Sequence, residues 1–365
     1  MSRTFLKTGA IALLATVAMT SCNDDNGNNW HEPTPVTSGL VVVNQGDYYN
    51  NIPGNLTYFD YATSSAKQNA YSAANSGNLL GDTPQDAIVY GSKMYVAIYD
   101  SNLIRVLDRK TLELIEDITP DATTGTQPRS MAVDNGKVYI SMYDGKVARL
   151  DTASLTLDAS VAVGPNPEGV AILKGKLYVA NSDGMNWQSN YANGKTLSVI
   201  DLSSFTVEKT LPVGLNPGPV VATSNYIYVI AKGDYASIPS TLQRVDPSGN
   251  VTDIAPATLM CGFNDNILYA NAVYGVGPEK ITYTLHNTLT GNSSPMIFNE
   301  IQYPAALAID PVTANIVITS YTVNNGYADY TSNGYAVVYS NGNVPVAQFP
   351  AGLNPCAIAF NTGLE

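Results

Sequence analysis

The chain has 365 residues, a formal net charge of −12 and only 13% charged side chains, about half the usual fraction of roughly 25%. Its sequence contains no basic patch, so a polyanionic duplex would be repelled and nucleic-acid binding is excluded. The 24 tyrosines, together with many Asn, Ser, Thr and Gly residues, indicate an all-β protein with polar loops.

Residues 1–21 predict a lipoprotein signal peptide. Arg3 and Lys7 precede an apolar stretch at residues 9–18, which is too short to span a bilayer. Residues 19–22, Met-Thr-Ser-Cys, then resemble a bacterial lipobox, which implies cleavage before Cys22 and acylation of its thiol. The alternative is an ordinary signal peptide in which Cys22 is incidental.

Residues 22–38 predict a flexible linker rich in Asn, Asp, Gly, Pro and Thr. The acidic run at residues 23–26 resembles the export signal that sends lipoproteins of the Bacteroidetes type to the cell surface. It implies an outer-membrane protein that faces the cell exterior and touches the membrane through its lipid anchor only. A plain solvated linker is the alternative for this run.

The remainder, residues 39–365, contains an internal repeat of about 45 residues, which is the period of a β-propeller blade. A Pro followed by small and apolar residues begins every unit except one degenerate copy between Pro217 and Pro304. A Tyr in an apolar run follows eleven residues later in four units, and an apolar strand ending in Asp often comes next. Each unit therefore predicts four short strands, a to d. A β-sandwich array is the alternative, but a unit this short cannot bury a core alone. The prolines are Pro84, Pro128, Pro167, Pro217, Pro304 and Pro355.

The two ends of the repeat predict a closed ring of seven blades. Residues 39–75 provide strands b, c and d without a strand a, and residues 352–360 provide a strand a alone. One blade built from both termini leaves no open sheet edge. Six further blades start near residues 84, 128, 167, 217, 259 and 304, and the one at 257–300 is degenerate.

Five predicted b–c connections are long and rich in aromatic residues: 44–55, 181–196, 231–241, 271–280 and 320–335. Rings exposed in this way offer rigid apolar surface with a polar tip, and insertions on one face of a repeat protein usually mark its binding face. The alternative is that the rings pack on one another to order the loops. The candidate ligand-binding residues are Tyr48, Tyr49, Trp187, Tyr191, Tyr235, Tyr274, Tyr321, Tyr327 and Tyr330.

The d–a connections bring polar side chains to the same face, beside the central channel. Gln85, Arg129 and Glu168 are the candidates, each directly after the Pro of its unit. Arg129 and Glu168 belong to neighbouring blades, so they are expected to be able to pair. A purely structural ion pair is the alternative to a ligand contact.

The sequence offers little catalytic chemistry, and we expect neither an enzyme, a metal site nor a cofactor. His31 lies in the linker, and His286 is expected to follow strand c and to lie on the opposite face, so no His-based metal set or Ser-His-Asp triad can form. Asp183 and Asp234 leave a calcium site of the lactonase type open. Cys261 and Cys356 lie a whole blade apart, so we predict two free thiols.

The Pro turns, Tyr strands and Asp-ended strands look like those of the YncE-like propellers, and residues 39–48 and 352–355 look like the DUF5074 surface lipoproteins of gut Bacteroidetes. Some of these, the BtuG-like proteins, capture cobalamin and pass it to a TonB-dependent transporter. The resemblance implies a protein that binds a bulky nutrient, with cobalamin as the best guess. A scaffold that binds a protein or a glycan through the same face remains the alternative, and a lactonase-type enzyme is a further one.

Overall fold

The structure is a computed structural model that describes residues 33–273, 275 and 277–364. The predicted signal peptide, Cys22, the acidic run 23–26, His31 and Tyr274 lie outside these residues. Within the described part, seven small antiparallel sheets form a β-propeller. The predicted fold class and the blade number are therefore confirmed.

Strand a of each sheet contacts strand a of its neighbours, so these strands line the central channel and strands b, c and d follow outward. The composite blade contains β1 (Pro35–Asn44), β2 (Asn55–Asp60), β3 (Ser65–Lys67) and β29 (Pro355–Leu364). Blade 1 contains β4 (Pro84–Tyr90), β5 (Lys93–Ile98), β6 (Leu103–Asp108) and β7 (Leu114–Ile118). Blade 2 contains β8 (Pro128–Asp134), β9 (Lys137–Met142), β10 (Lys146–Asp151) and β11 (Thr156–Ala162).

The remaining four blades follow the same order. Blade 3 contains β12 (Pro167–Leu173), β13 (Lys176–Asn181), β14 (Thr196–Asp201) and β15 (Thr206–Pro212). Blade 4 contains β16 (Pro217–Ala222), β17 (Ile227–Ala231), β18 (Thr241–Val245) and β19 (Val251–Pro256). Blade 5 contains β20 (Leu259–Phe263), β21 (Asn266–Asn271), β22 (Thr282–Asn287) and β23 (Ser293–Met296). Blade 6 contains β24 (Tyr303–Ile309), β25 (Ile316–Asn324), β26 (Tyr327–Asp329), β27 (Asn333–Tyr339) and β28 (Pro345–Leu353).

The tyrosines that mark the repeat lie in strand b and fill the core between neighbouring blades. Tyr95 of β5, for example, is fully buried and packs with Met131 and Val138 of blade 2. A strand covered on both faces must be apolar on both, which is why strand b reads as a continuous apolar run. Burial of one such ring contributes about 1.5–3 kcal/mol.

The Asp residues that end strand c close the c–d turns. In blade 2, Asp151 Oδ1 accepts hydrogen bonds from the backbone N–H groups of Ala153 and Ser154, at 2.9 and 2.7 Å. Asp108 and Asp201 make the same contacts in blades 1 and 3. This Asx turn replaces the strand ladder with local side-chain bonds, and in blade 5 Asn287 makes the same contacts in place of an Asp.

The ring is closed by the long pairing of the two termini. Strand β1 lies between β2 and β29, with the β1–β29 register running from Pro35↔Leu364 to Asn44↔Pro355. Residues 40–43 of β1 are fully buried, and Thr37 Oγ1 donates a 2.8 Å hydrogen bond to Asp310 Oδ1 of blade 6. The predicted closure by a shared blade is therefore confirmed.

One α-helix of the described residues was not expected. Helix α1 (Ala70–Ala74) follows β3, which has only three residues, and its Tyr71 is buried with Leu80 and Leu112. The helix therefore fills the outer space that a short strand d leaves between the composite blade and blade 1. No helix within residues 33–273, 275 and 277–364 is long and apolar enough to cross a membrane.

The prediction for His286 is wrong in one respect, because this residue lies inside strand c and not after it. It pairs with Ile267 in the β21–β22 ladder, and its Nδ1 lies 3.0 Å from Ser293 Oγ. Its residue surface is almost fully buried, and desolvation lowers the pKa of the imidazole below its usual value. His286 is thus a core residue near the c–d end of blade 5, and its burial favours the neutral imidazole.

Candidate functional site

The b–c and d–a connections lie on one face of the propeller, here called the loop face. Five b–c connections are long, as predicted, whereas blades 1 and 2 have tight turns after β5 and β9. The connection at residues 320–335 is long, as predicted, but part of it is regular structure. Strand β25 continues to Asn324 and pairs with β26, so this segment contains a β-hairpin held by main-chain hydrogen bonds.

Most of the predicted aromatic residues in these connections expose their side chains. Short 3₁₀ helices at Tyr48–Asn50 and Trp187–Ser189 bury none of their residues, and each ends at an Asn in the left-handed conformation. Isolated exposed rings need no explanation, but exposed rings gathered on one face do. The exposed rings are Tyr48 (59%), Tyr49 (92%), Trp187 (64%), Tyr235 (68%), Tyr327 (56%) and Tyr330 (38%).

Several of these rings also pack on each other, as the alternative interpretation expected. Tyr191 of blade 3 and Tyr235 of blade 4 have ring centroids 6.3 Å apart, and Tyr321 and Tyr330 have centroids 4.7 Å apart. Tyr321 lies inside β25, and burial raises the pKa of its phenol above the usual range. The first pair links two neighbouring loops while Tyr235 stays exposed, so mutual packing and an open ring surface coexist.

Asp183 and Asp234, the two candidates for a calcium site, cap their own loops. Asp183 Oδ2 accepts hydrogen bonds from Asn186 and from the backbone of Asn193. Asp234 accepts from Ser237 Oγ and from the backbone N–H of Ile238, and these bonds, that of Ser237 first, lower the pKa of its carboxyl to about 2. Among the described residues, no group of three His, Cys, Asp or Glu side chains lies together.

In every blade except blade 5, strand a has a Pro and a β-bulge at its start. The residue before the Pro is in the left-handed conformation in five blades, with φ between 45° and 61°, and the register of strand a shifts directly after the Pro. A bulge re-aims the side chain that it carries. It is the reason that Gln85, Arg129 and Glu168 stand at the mouth of the channel.

The predicted pair of Arg129 and Glu168 is present. Arg129 Nη2 donates a 2.7 Å hydrogen bond to Glu168 Oε2, and the side chains are 20% and 14% exposed. Lys232 Nζ lies 3.7 Å from Glu168 Oε1. Burial opposes the charge of Glu168, but Lys232 and Arg129 outweigh it and hold the pKa of this carboxyl below its usual value.

Two tyrosines hold the guanidinium of Arg129 in place. Its Cζ lies 4.7 Å from the ring centroid of Tyr143 and 5.3 Å from that of Tyr99, and the two rings contact each other edge to face. Cation–π contacts with desolvated rings contribute about 1–2 kcal/mol each. We call Arg129, Glu168, Lys232, Tyr99 and Tyr143 the mouth cluster.

Three members of the mouth cluster were not predicted, although a signal for them exists. Tyr99, Tyr143 and Lys232 each lie fifteen residues after the Pro of their unit. In all three the backbone N–H donates to the carbonyl of the left-handed residue before that Pro, at 2.9 to 3.0 Å. The first residue after strand b therefore lies beside the channel in blades 1, 2 and 4, and the b–c turns of blades 1 and 2 are short.

The other polar candidate and the thiols lie along strands a. Gln85 Nε2 donates to Thr83 O at 3.4 Å, so its amide is bound within its own turn. Asp86 accepts from the backbone N–H of Met131, and burial raises the pKa of its carboxyl to about 7. Cys261 and Cys356 are both free, as predicted, and burial raises the pKa of each thiol.

A groove beside the hairpin of blade 6 adds concave surface to the loop face. It has a volume of about 550 Å³ and is lined by Gln302, Thr322, Gly334 and Tyr335, among others. Gln348, Phe349 and Pro350 of β28 also line it, so the groove lies against strand d at the outer edge of blade 6.

Comparison with solved structures supports the fold alone. Hydrazine synthase of Kuenenia stuttgartiensis superposes with a TM-score of 0.60 at 15% identity, covering 76% of this chain and 89% of the other. The computationally designed Ika8 protein gives a TM-score of 0.51 at 12% identity, covering 75% and 89%. A search of curated proteins finds no match. The family described as "Domain of unknown function (DUF5074)" matches residues 38–351, and the chain therefore belongs to the DUF5074 family.

Proposed function

We propose that this protein is a cell-surface lipoprotein that captures a bulky nutrient on the loop face and passes it to a TonB-dependent outer-membrane transporter. Cobalamin or another corrinoid is the best candidate for the ligand. The observation that carries this proposal is the set of exposed rings on the connections of four blades, from Tyr49 of the composite blade to Tyr327 of blade 6. Because the rings are distributed over one face, they favour a large ligand that contacts several connections at once over a small metabolite held in one pocket.

The chemistry of the loop face supports binding and not turnover. Tyr and Trp side chains supply large contact areas with few rotatable bonds, so little entropy is lost when a ligand covers them. The carboxylates of Asp183 and Asp234, which would be needed for acid–base or calcium chemistry, are engaged in ordering their loops. The signal-peptide pattern that ends at Cys22 supports the surface anchor, and the resemblance to BtuG-like proteins supports the transporter as partner.

Isothermal titration with cyanocobalamin tests the proposal. The titration uses a shortened chain that begins at residue 23 and therefore contains every residue that the structure describes. We expect binding of one ligand per chain with a Kd below about 1 µM, which corresponds to at least about 8 kcal/mol. Saturation at about 100 times the Kd would add about 2.7 kcal/mol to the stability of the folded state and raise the Tm. Absence of heat together with an unchanged Tm would reject cobalamin as the ligand.

A further inference from the structure

The mouth cluster combines two cations with one carboxylate, so it carries a net charge of +1 in a chain whose formal net charge is −12. All three charged side chains are largely enclosed, with exposures of 14% to 26%. Electrostatic interactions are stronger where water is partly excluded. A local positive charge of this kind at the mouth of an otherwise acidic protein selects ligands by charge.

The cations of the mouth cluster have donors to spare. A guanidinium has five N–H groups, and Arg129 gives one hydrogen bond to Glu168, with no other to the described residues. Lys232 Nζ, at 3.7 Å from Glu168, is beyond ordinary hydrogen-bond distance. None of the Arg129 or Lys232 nitrogens is among the buried polar atoms that lack a partner, so solvent reaches the remaining donors and a ligand oxygen can replace it there.

The fold makes room for this arrangement and fixes it. A Cβ on Gly218 would stand 2.1 Å from Lys232 Cε, so a glycine in strand a of blade 4 lets the lysine cross toward Glu168. Tyr99 and Tyr143 hold the guanidinium from the side. The cations are therefore oriented before any ligand arrives, which reduces the entropy lost on binding.

We propose that the mouth cluster is a subsite for an oxyanion, a carboxylate or a phosphate group of the captured ligand. Arg129 and Lys232 donate to the oxyanion, and Glu168 positions both cations. This subsite rests on the proposed function, because it would bind one anionic group of the same ligand that the loop face captures. It is compatible with cobalamin, whose nucleotide loop contains a phosphodiester.

The test is calorimetric titration with inorganic phosphate, and separately with acetate, at low ionic strength. Lys232→Met keeps the length of the side chain and removes the charge, and Lys195→Met makes the same change of charge at an exposed position of the blade 3 loop. We expect Lys232→Met to weaken anion binding at least about tenfold, equivalent to about 1.4 kcal/mol, and Lys195→Met to leave it unchanged. Tighter binding of phosphate assigns the subsite to phosphate groups, and tighter binding of acetate assigns it to carboxylates.

Equal anion binding by Lys232→Met and Lys195→Met, or absence of binding of both anions to the natural chain, would overturn the subsite. The double variant Arg129→Gln, Glu168→Gln removes an ion pair at constant net charge and should also lose anion binding while it keeps a cooperative thermal transition. Cyanocobalamin bound equally well by the natural chain and by Lys232→Met would reject the subsite and leave nutrient capture standing. A chain that binds phosphate at the mouth cluster but does not bind cyanocobalamin would keep the anion subsite and reject a corrinoid as the captured ligand.

Discussion

Replacement of Trp187 and Tyr235 together by Ala is expected to weaken cyanocobalamin binding by about 1,000-fold. Each buried aromatic anchor of an interface contributes about 2 kcal/mol or more, and about 4 kcal/mol corresponds to about three powers of ten in Kd. Both side chains are more than 60% exposed in the free protein. Their removal should therefore change the ligand-binding surface and leave the Tm within about 2 °C of that of the natural chain.

The matched control is Leu289→Ala. Leu289 is 63% exposed on the c–d turn of blade 5, on the face opposite the loop face. The substitution Leu289→Ala removes exposed apolar side-chain surface from a face on which we expect no ligand to bind. Isothermal titration of the three proteins compares their Kd values directly. A double variant that binds as tightly as Leu289→Ala would show that the rings of blades 3 and 4 are not part of the binding surface.

Deletion of residues 355–365 is expected to abolish cooperative folding. It removes β29 and exposes the edge of β1, whose residues 40–43 are fully buried in the closed ring. The lost ladder and apolar contacts should cost more than about 5 kcal/mol, the lower end of the total stability of natural domains. Thermal unfolding followed by circular dichroism measures the effect. Removal of residues 364–365 alone is the control and should leave the transition in place, because Leu364 is 66% exposed.

A circular permutant separates ring closure from the mere loss of residues. Because Leu364 pairs with Pro35, a short turn can join residue 364 to residue 35, with new termini between Asn354 and Pro355. This chain keeps β29 beside β1 and should unfold cooperatively near the Tm of the natural chain. A truncated chain that unfolds at the natural Tm would contradict the role assigned to the shared blade.

The architecture was predictable because each mark of the repeat has a structural role. The Pro enters strand a after a sharp turn, the buried Tyr of strand b fills the space between blades, and the Asp that ends strand c closes the next turn. Helix α1 was not predictable in this way. Five residues are too few for a helical periodicity, and an isolated helix of this length is unstable, so its formation depends on packing against two blades.

The candidate site was predictable in part. Long connections and their aromatic residues are visible in the sequence, and so are Arg129 and Glu168, because they follow the Pro of their units. Lys232 was missed because its approach to Glu168 depends on the space left by Gly218 and on the packing of blades 3 and 4, which the sequence does not show. Tyr99 and Tyr143 were missed because they begin tight turns, and their contact with Arg129 depends on the approach of neighbouring blades around the channel.

Hydrogen–deuterium exchange with and without saturating cyanocobalamin tests most directly whether the loop face is the capture surface. Backbone amides that a ligand covers or orders exchange more slowly. We expect protection in the connections at residues 45–54, 182–195 and 232–240, and unchanged exchange in the a–b turns at residues 91–92, 135–136 and 174–175. Protection confined to the opposite face, or no protection anywhere, would contradict it.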